Sequence, residues 1–152
     1  METGNLIIPS YRIVVADRHT LFRETLKRAL SEVGEWVVVG EAGDSLSLFD
    51  LLRRLNLVQQ VPQLVILDIS MPVLRGIEIT RQIKEVFPEI KVLILGMYKD
   101  KECLDCVLGA GAEGYVLKQN ANTELFSAVE RIKQGGIYVS PGMTTKFEDY
   151  LW

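Results

Sequence analysis

Short apolar runs alternate with helical stripes of apolar residues along this chain. Tyr11-Arg12-Ile13-Val14-Val15-Ala16 reads as a first strand, closed by Asp17. From Thr20, the apolar positions Phe22, Leu26, Ala29, Leu30 and Val33 recur at helical spacing, and Gly34 is a natural stop. Trp36 to Ala42 is β-branched and strand-like; Asp44 or Ser45 can cap a second helix that turns Leu48, Phe49, Leu52 and Leu55 inward. Leu64-Val65-Ile66-Leu67 is continuously apolar, as a strand buried on both faces must be, and it ends abruptly in Asp68. Gly76 opens a third helix carrying Ile79, Ile83 and Val86, ended before Pro88. Ile90 to Leu95 is a fourth strand with Gly96 at its end, and Asp100 caps a weakly amphipathic helix that stops at Gly109-Ala110-Gly111. Gly114 to Lys118 is a short fifth strand. Asn120 or Asn122 then caps a last helix bearing Leu125, Val129 and Ile132, stopped by Gly135-Gly136.

Five strands alternating with five helices predict an α/β fold, a parallel sheet with helices on both faces. Right-handed crossovers and a doubly wound, flavodoxin-like order such as 2-1-3-4-5 make the first and third strands neighbours at the switch point. Adjacent strands lie ~4.8 Å apart, so Asp17 and Asp68 are expected to share a pocket at the carboxyl ends of the strands, with Gly96 and Lys118 alongside.

Composition narrows the function. Of 152 residues, 48% are hydrophobic and 24% charged, as in a single globular domain. A net charge of −3 offers no cationic footprint for nucleic acid. No apolar run reaches the length of a membrane span, and the first ten residues lack the order of a signal peptide. A cytoplasmic location is the expectation, without membrane partners. Cys103 and Cys106 form a lone CxxC on the fourth helix with no second pair for zinc, and are expected to pack as small hydrophobes.

A carboxylate on a rigid strand end can be a metal ligand, a base or a nucleophile, and a lysine in reach can stabilise a transferring anion. Asp68 and Lys118 together suit capture of a phosphoryl group as an aspartyl phosphate. Either residue alone is an ordinary loop acid or surface lysine; the pair at strand ends is the signal. Ile13-Val14-Val15-Ala16-Asp17, Leu67-Asp68-Ile69-Ser70-Met71-Pro72 and Gly111-Ala112-Glu113-Gly114-Tyr115-Val116-Leu117-Lys118 resemble the receiver domain of bacterial two-component response regulators. His19-Thr20-Leu21-Phe22-Arg23, Val39-Gly40-Glu41-Ala42 and Gly135-Gly136 resemble its NarL/FixJ branch.

The resemblance implies a signalling module in place of an enzyme, acting at most in its own phosphorylation and dephosphorylation. A histidine kinase would donate phosphoryl to Asp68, with Mg²⁺ held by Asp17, Asp68 and the backbone carbonyl of Ser70. Lys118 would pair with the phosphoryl group and Tyr115 would be the switch residue. The face of the fourth helix, fifth strand and fifth helix would serve homodimerisation or an output domain. Transcription would be regulated, and DNA bound, through that separate domain. Residues 1–10 are then a lead-in, 11–137 the receiver, and 138–152 a tail or the start of a linker to an output domain outside this sequence.

Two positions depart from the family pattern. Arg18 stands where a second acid usually follows Asp17, and Gly96 where a Ser or Thr usually ends the fourth strand. A guanidinium ~5 Å from a dication, at an effective dielectric of about 20, opposes it by several kcal/mol before screening. Mg²⁺ binding is therefore expected to be weak, and Arg18 can instead bridge Asp17 and Asp68 through its planar fork. Gly96 withholds a hydroxyl from a phosphoryl group and from Tyr115; water is the natural filler of such a gap. These departures raise an alternative function, a phosphorylation-independent interaction module in which Arg18 replaces the metal. An aspartyl-phosphate phosphohydrolase is disfavoured, because the candidate nucleophile ends the third strand and no DxD motif ends the first.

Overall fold

The computed structural model describes residues 10–143. The chain runs β1 (Tyr11–Ala16), α1 (Thr20–Ser31), β2 (Trp36–Ala42), α2 (Ser45–Leu57), β3 (Leu64–Asp68), α3 (Gly76–Val86), β4 (Lys91–Gly96), α4 (Lys101–Gly109), β5 (Gly114–Leu117), α5 (Ala121–Lys133) and β6 (Tyr138–Val139). One turn of 3-10 helix, Lys118–Asn120, joins β5 to α5. Every strand pair is parallel, in the order β2-β1-β3-β4-β5-β6. The doubly wound 2-1-3-4-5 sheet expected from the sequence is present, extended by one short strand.

The apolar runs of the central strands follow from two cores, one on each face of the sheet. Val14, Val65, Leu67, Val92 and Ile94 join the helices α2, α3 and α4 in one cluster. Ile13, Val15, Leu64, Ile66, Leu93 and Leu95 join α1 and α5 in the other. Successive side chains of a strand point to opposite faces. A strand covered on both sides must therefore be apolar at every position, and β3 is buried along its whole length. Asp68, its last residue, is carried into that buried setting by the strand itself.

Local chemistry sets the boundaries. The Asp44 carboxylate accepts from Ser47 N at 2.7 Å and starts α2, and Asp100 accepts from Glu102 N at 2.9 Å and starts α4. Helix α1 ends at Ser31, short of Gly34, and Val33 turns the chain toward β2. No asparagine side chain caps α5; the 3-10 turn feeds the backbone into the helix directly. That turn begins at Lys118, so β5 closes one residue earlier than the apolar pattern suggested.

Strand β6 is the element that a two-residue apolar pair does not announce. Tyr138 and Val139 pair with Gly114 and Tyr115. Ser140 then stitches the edge: its backbone N–H donates to Tyr115 O at 2.9 Å, its hydroxyl donates to Glu124 at 2.7 Å, and it accepts from Leu117 N at 3.0 Å. Residues 138–143 thus pack on the sheet, where the sequence placed a tail. The lead-in 1–9 and residues 144–152 lie outside the described residues.

Candidate functional site

Strands β1 and β3 pair directly, Ala16 opposite Leu67, so Asp17 and Asp68 emerge side by side at their carboxyl ends. Both carboxylates are fully buried. Lys118, just after β5, reaches between them: its Nζ is 2.7 Å from Asp17 Oδ2 and 3.4 Å from Asp68 Oδ2. The shorter contact pairs the ammonium with Asp17 Oδ2, whose only ion-pair partner within 4 Å among the described residues is Lys118. The Lys118 ammonium also stands over the Phe22 ring, 4.5 Å from its centroid, an arrangement that favours the cation at this position.

The backbone around each acid is organised to hold it. Asp68 Oδ1 accepts from Ser70 N at 3.1 Å and from the Ser70 hydroxyl at 3.0 Å, leaving Oδ2 directed toward Lys118. Asp17 Oδ1 accepts from His19 N at 2.7 Å. The Asp17 carbonyl accepts from Arg23 Nη1 at 2.6 Å, and Arg23 Nε donates to Glu41 at 2.8 Å. Gly76, at the start of α3, passes so close to the β3 loop that an added Cβ would lie 2.8 Å from Ile69 Cα. Only glycine permits that approach, which brings Gly76 N to Ile69 O at 2.9 Å and folds the loop back under Asp68.

Above the acids lies a cavity of about 310 Å³ lined by Arg18, His19, Ser70, Arg75, Tyr98 and Lys118, among others. Three larger hollows lie elsewhere: two of about 550 Å³, at the amino ends of the strands beside Arg12 and Phe87 and beside α1 and Trp36, and one of about 410 Å³ between α1 and α5 that Phe22 and Lys118 also line. None of the three gathers buried acids, and only the smaller cavity lies over Asp17 and Asp68.

Among the described residues Arg18 forms no ion pair with Asp17 or Asp68, and its side chain is exposed at the cavity wall. The cation between the carboxylates is Lys118. The reason is positional: Arg18 follows Asp17 directly and is turned to the exposed wall of the cavity, whereas Lys118 reaches the acids from the end of β5. Tyr115 is buried, and its hydroxyl donates to Tyr98 O at 2.9 Å, so it has a partner other than residue 96. Burial pushes that hydroxyl up to about 12, with Cys103 and Asp100 adding to the rise. The gap left by Gly96 is filled by this ring. Cys103 is half-buried against the core and Cys106 is exposed, both as free thiols. Burial raises the Cys103 thiol.

His19 and Phe22 are site residues that motif logic alone passed over. The His19 Nδ1 stands 3.3 Å from Asp17 Oδ1 and 3.3 Å from Lys118 Nζ. Asp17, His19 and Asp68 each place a ligand-type atom within 4.8 Å of the others, the one such group among the described residues. The sequence signal was the offset of two from Asp17 to His19, which puts the ring on the same rim.

Residues 13–130 match the family described as response regulator receiver domain. DegU of Brevibacillus brevis, a transcriptional regulatory protein, is 37% identical over 133 residues, covering 88% of this chain and 54% of that protein. The oxygen regulatory protein NreC of Staphylococcus carnosus (strain TM300) is 38% identical over 135 residues, covering 88% of this chain and 60% of its own length. The chain therefore spans little more than half the length of these curated relatives. Among solved structures, a LuxR-family two-component response regulator from Aurantimonas sp. SI85-9A1 superposes with a TM-score of 0.84 at 30% identity, covering 93% of this chain and 97% of that one. The isolated REC domain of RcsB from Salmonella enterica serovar Typhimurium, solved with the phosphomimetic BeF3⁻, gives 0.79 at 29% identity and covers 90% and 97%. The paired acids, the facing lysine and these likenesses agree: this chain belongs to the response regulator receiver domain family, on its NarL/FixJ branch.

Proposed function

We propose that Asp68 is the phosphoacceptor of this receiver and Lys118 the residue that neutralises the phosphoryl group. The observation that carries this is the pair of fully buried carboxylates converging on one ammonium, 2.7 Å from Asp17 and 3.4 Å from Asp68. Burying two acids is costly unless they are paired, and a structural role would not require both of them to converge on a lysine that lines a cavity. Asp68 Oδ2 attacks the phosphorus of a phosphohistidine on a partner kinase. The new O–P bond forms as the P–N bond breaks, and the leaving imidazole takes up a proton. Ser70 holds Oδ1 aside during this step, and Lys118 shifts its charge onto the phosphoryl oxygens. Lysine is suited to this because its ammonium is a compact charge on a flexible stem.

Receiver domains typically use Mg²⁺. The donor set here fits one in part: Asp17 and Asp68 carboxylate oxygens and the Ser70 carbonyl are hard oxygen ligands of the kind it takes. When bound, the ion supplies positive charge at the transferring group. Arg18 and Arg75 on the cavity wall and Lys118 between the acids oppose a dication, so binding is weak. By family, the donor is a histidine kinase, the location cytoplasmic, the dimer face α4–β5–α5, and DNA is reached through an output domain outside this sequence. The receiver unit starts at residue 11, and β6 argues for carrying it past 137 to about 143.

Incubation with acetyl phosphate and Mg²⁺, followed by intact mass, tests this. One added phosphoryl group is expected, absent in Asp68→Asn. No gain in the native chain, beside a working receiver, overturns it. In that event the phosphorylation-independent module stands, with Lys118 rather than Arg18 as the resident cation.

A further inference from the structure

The end of β4 and the side chain of Tyr115 compete for one volume. Gly96 closes β4 opposite Leu117, and Tyr115 lies two residues back on β5, opposite Ile94. A Cβ added at Gly96 would sit 2.0 Å from Tyr115 Oη, 2.3 Å from Cζ and 2.9 Å from Cε2. These are not contacts that small adjustments relieve, because the ring is 1% exposed and walled in by the core. Tyr115 can lie where it does only because residue 96 has no side chain.

The inward position also satisfies the ring on every count. Its apolar body is buried against the β4–α4 side of the core, and its hydroxyl is matched by Tyr98 O at 2.9 Å, so no polar group is stranded. Moving the ring outward would expose it to water, break that bond and give up its packing above Gly96. The bond to Tyr98 fixes the loop between Gly96 and the Asp100 cap of α4 as well.

We propose that Gly96 and Tyr115 form a shape lock: the missing side chain at 96 holds Tyr115 inward, and with it the β4–α4 loop, whether or not Asp68 carries a phosphoryl group. A ligand shifts only an equilibrium whose two states it distinguishes. With the inward state already filled, an event at Asp68 has no ring movement left to drive. The lock does not depend on Asp68 accepting phosphoryl.

The test uses the full chain labelled with 3-fluorotyrosine, with no phosphodonor and no metal, and reads fluorine NMR with a soluble paramagnetic probe. Tyr115→Phe identifies the Tyr115 signal by its loss. In the native chain that signal is expected as one protected resonance. In Gly96→Ala it is expected to broaden with the probe at least fivefold more, as an exposed tyrosine does. The ring carbon Cζ is itself 2.3 Å from the new methyl, so Gly96→Ala should lower the melting temperature in the Tyr115→Phe background too. In the Tyr115→Leu background it should not, which keeps the test decisive if Gly96→Ala alone does not fold. An exposed Tyr115 in the native chain, or a protected one in Gly96→Ala, overturns the proposal.

Discussion

At the scale of single residues, charge decides most. Lys118 is the counter-ion of two buried carboxylates, so Lys118→Met leaves both uncompensated. Loss of one partner from a buried pair costs about 3–5 kcal/mol, and urea unfolding at neutral pH should show a loss of that order, reduced when Asp17→Asn is added. Arg18 stands exposed on the same rim. Arg18→Asp changes the local charge by two units and should tighten Mg²⁺ binding by about tenfold or more, measured by calorimetry at low salt. Unchanged affinity would show that the guanidinium is fully screened. Alkaline pH acts on Tyr115. Its folded hydroxyl is pushed up to about 12 by burial, above the unfolded value near 10. The stability it contributes is complete below about pH 10 and is lost as pH rises toward 12. Tyr115→Phe should therefore flatten the fall of melting temperature across that window, although Tyr11 and Tyr138, also pushed up to about 12, keep part of it.

At the scale of elements, the loops and the sheet edge carry the strain and the stitching. Val73, between β3 and α3, holds a φ of 77°, a conformation that a β-branched residue adopts at a cost of about 1–3 kcal/mol. It is 68% exposed and packs little. Val73→Gly should relieve the strain and raise the melting temperature, with part of the gain offset by the freer unfolded chain. Strand β6 matters to the site because Ser140 accepts from Leu117 N, the residue before Lys118. Ser140→Ala leaves that buried N–H without its acceptor, a cost of about 1–3 kcal/mol. Amide exchange at Leu117 and Lys118 should quicken beyond that in the central strands. The helices were more directly readable: the Asp44 and Asp100 caps and the inward Leu26, Leu30, Leu48, Leu52, Ile79 and Ile83 are as the pattern suggested, whereas Ala29 and Val86 face solvent and no asparagine caps α5.

At the scale of the whole molecule, the chain is a receiver whose net charge of −3 gives it no electrostatic hold on nucleic acid. At micromolar concentration and 50 mM salt it should not retard duplex DNA by itself, and retardation would reveal a cationic face that the sequence total conceals. The order of the sheet was legible because a strand buried on both faces must be apolar throughout, and because connections of one hand leave few ways to wind such strands. Asp17, Asp68 and Lys118 were legible for the same reason, as polar residues at the ends of those strands. Strand adjacency was legible too, and Asp17 lies beside Asp68 as the predicted order required; the individual side-chain contacts were not. That Lys118 rather than Arg18 sits between the acids, that Phe22 and His19 flank it, and that Tyr115 fills the room above Gly96 depend on distances between residues far apart in the chain. Periodicity reports which face a residue takes, and not which distant side chain it meets there. The sequence by itself determined the layers, the winding and the acids. Only tertiary packing decided which cation pairs them and which ring occupies the space beside them.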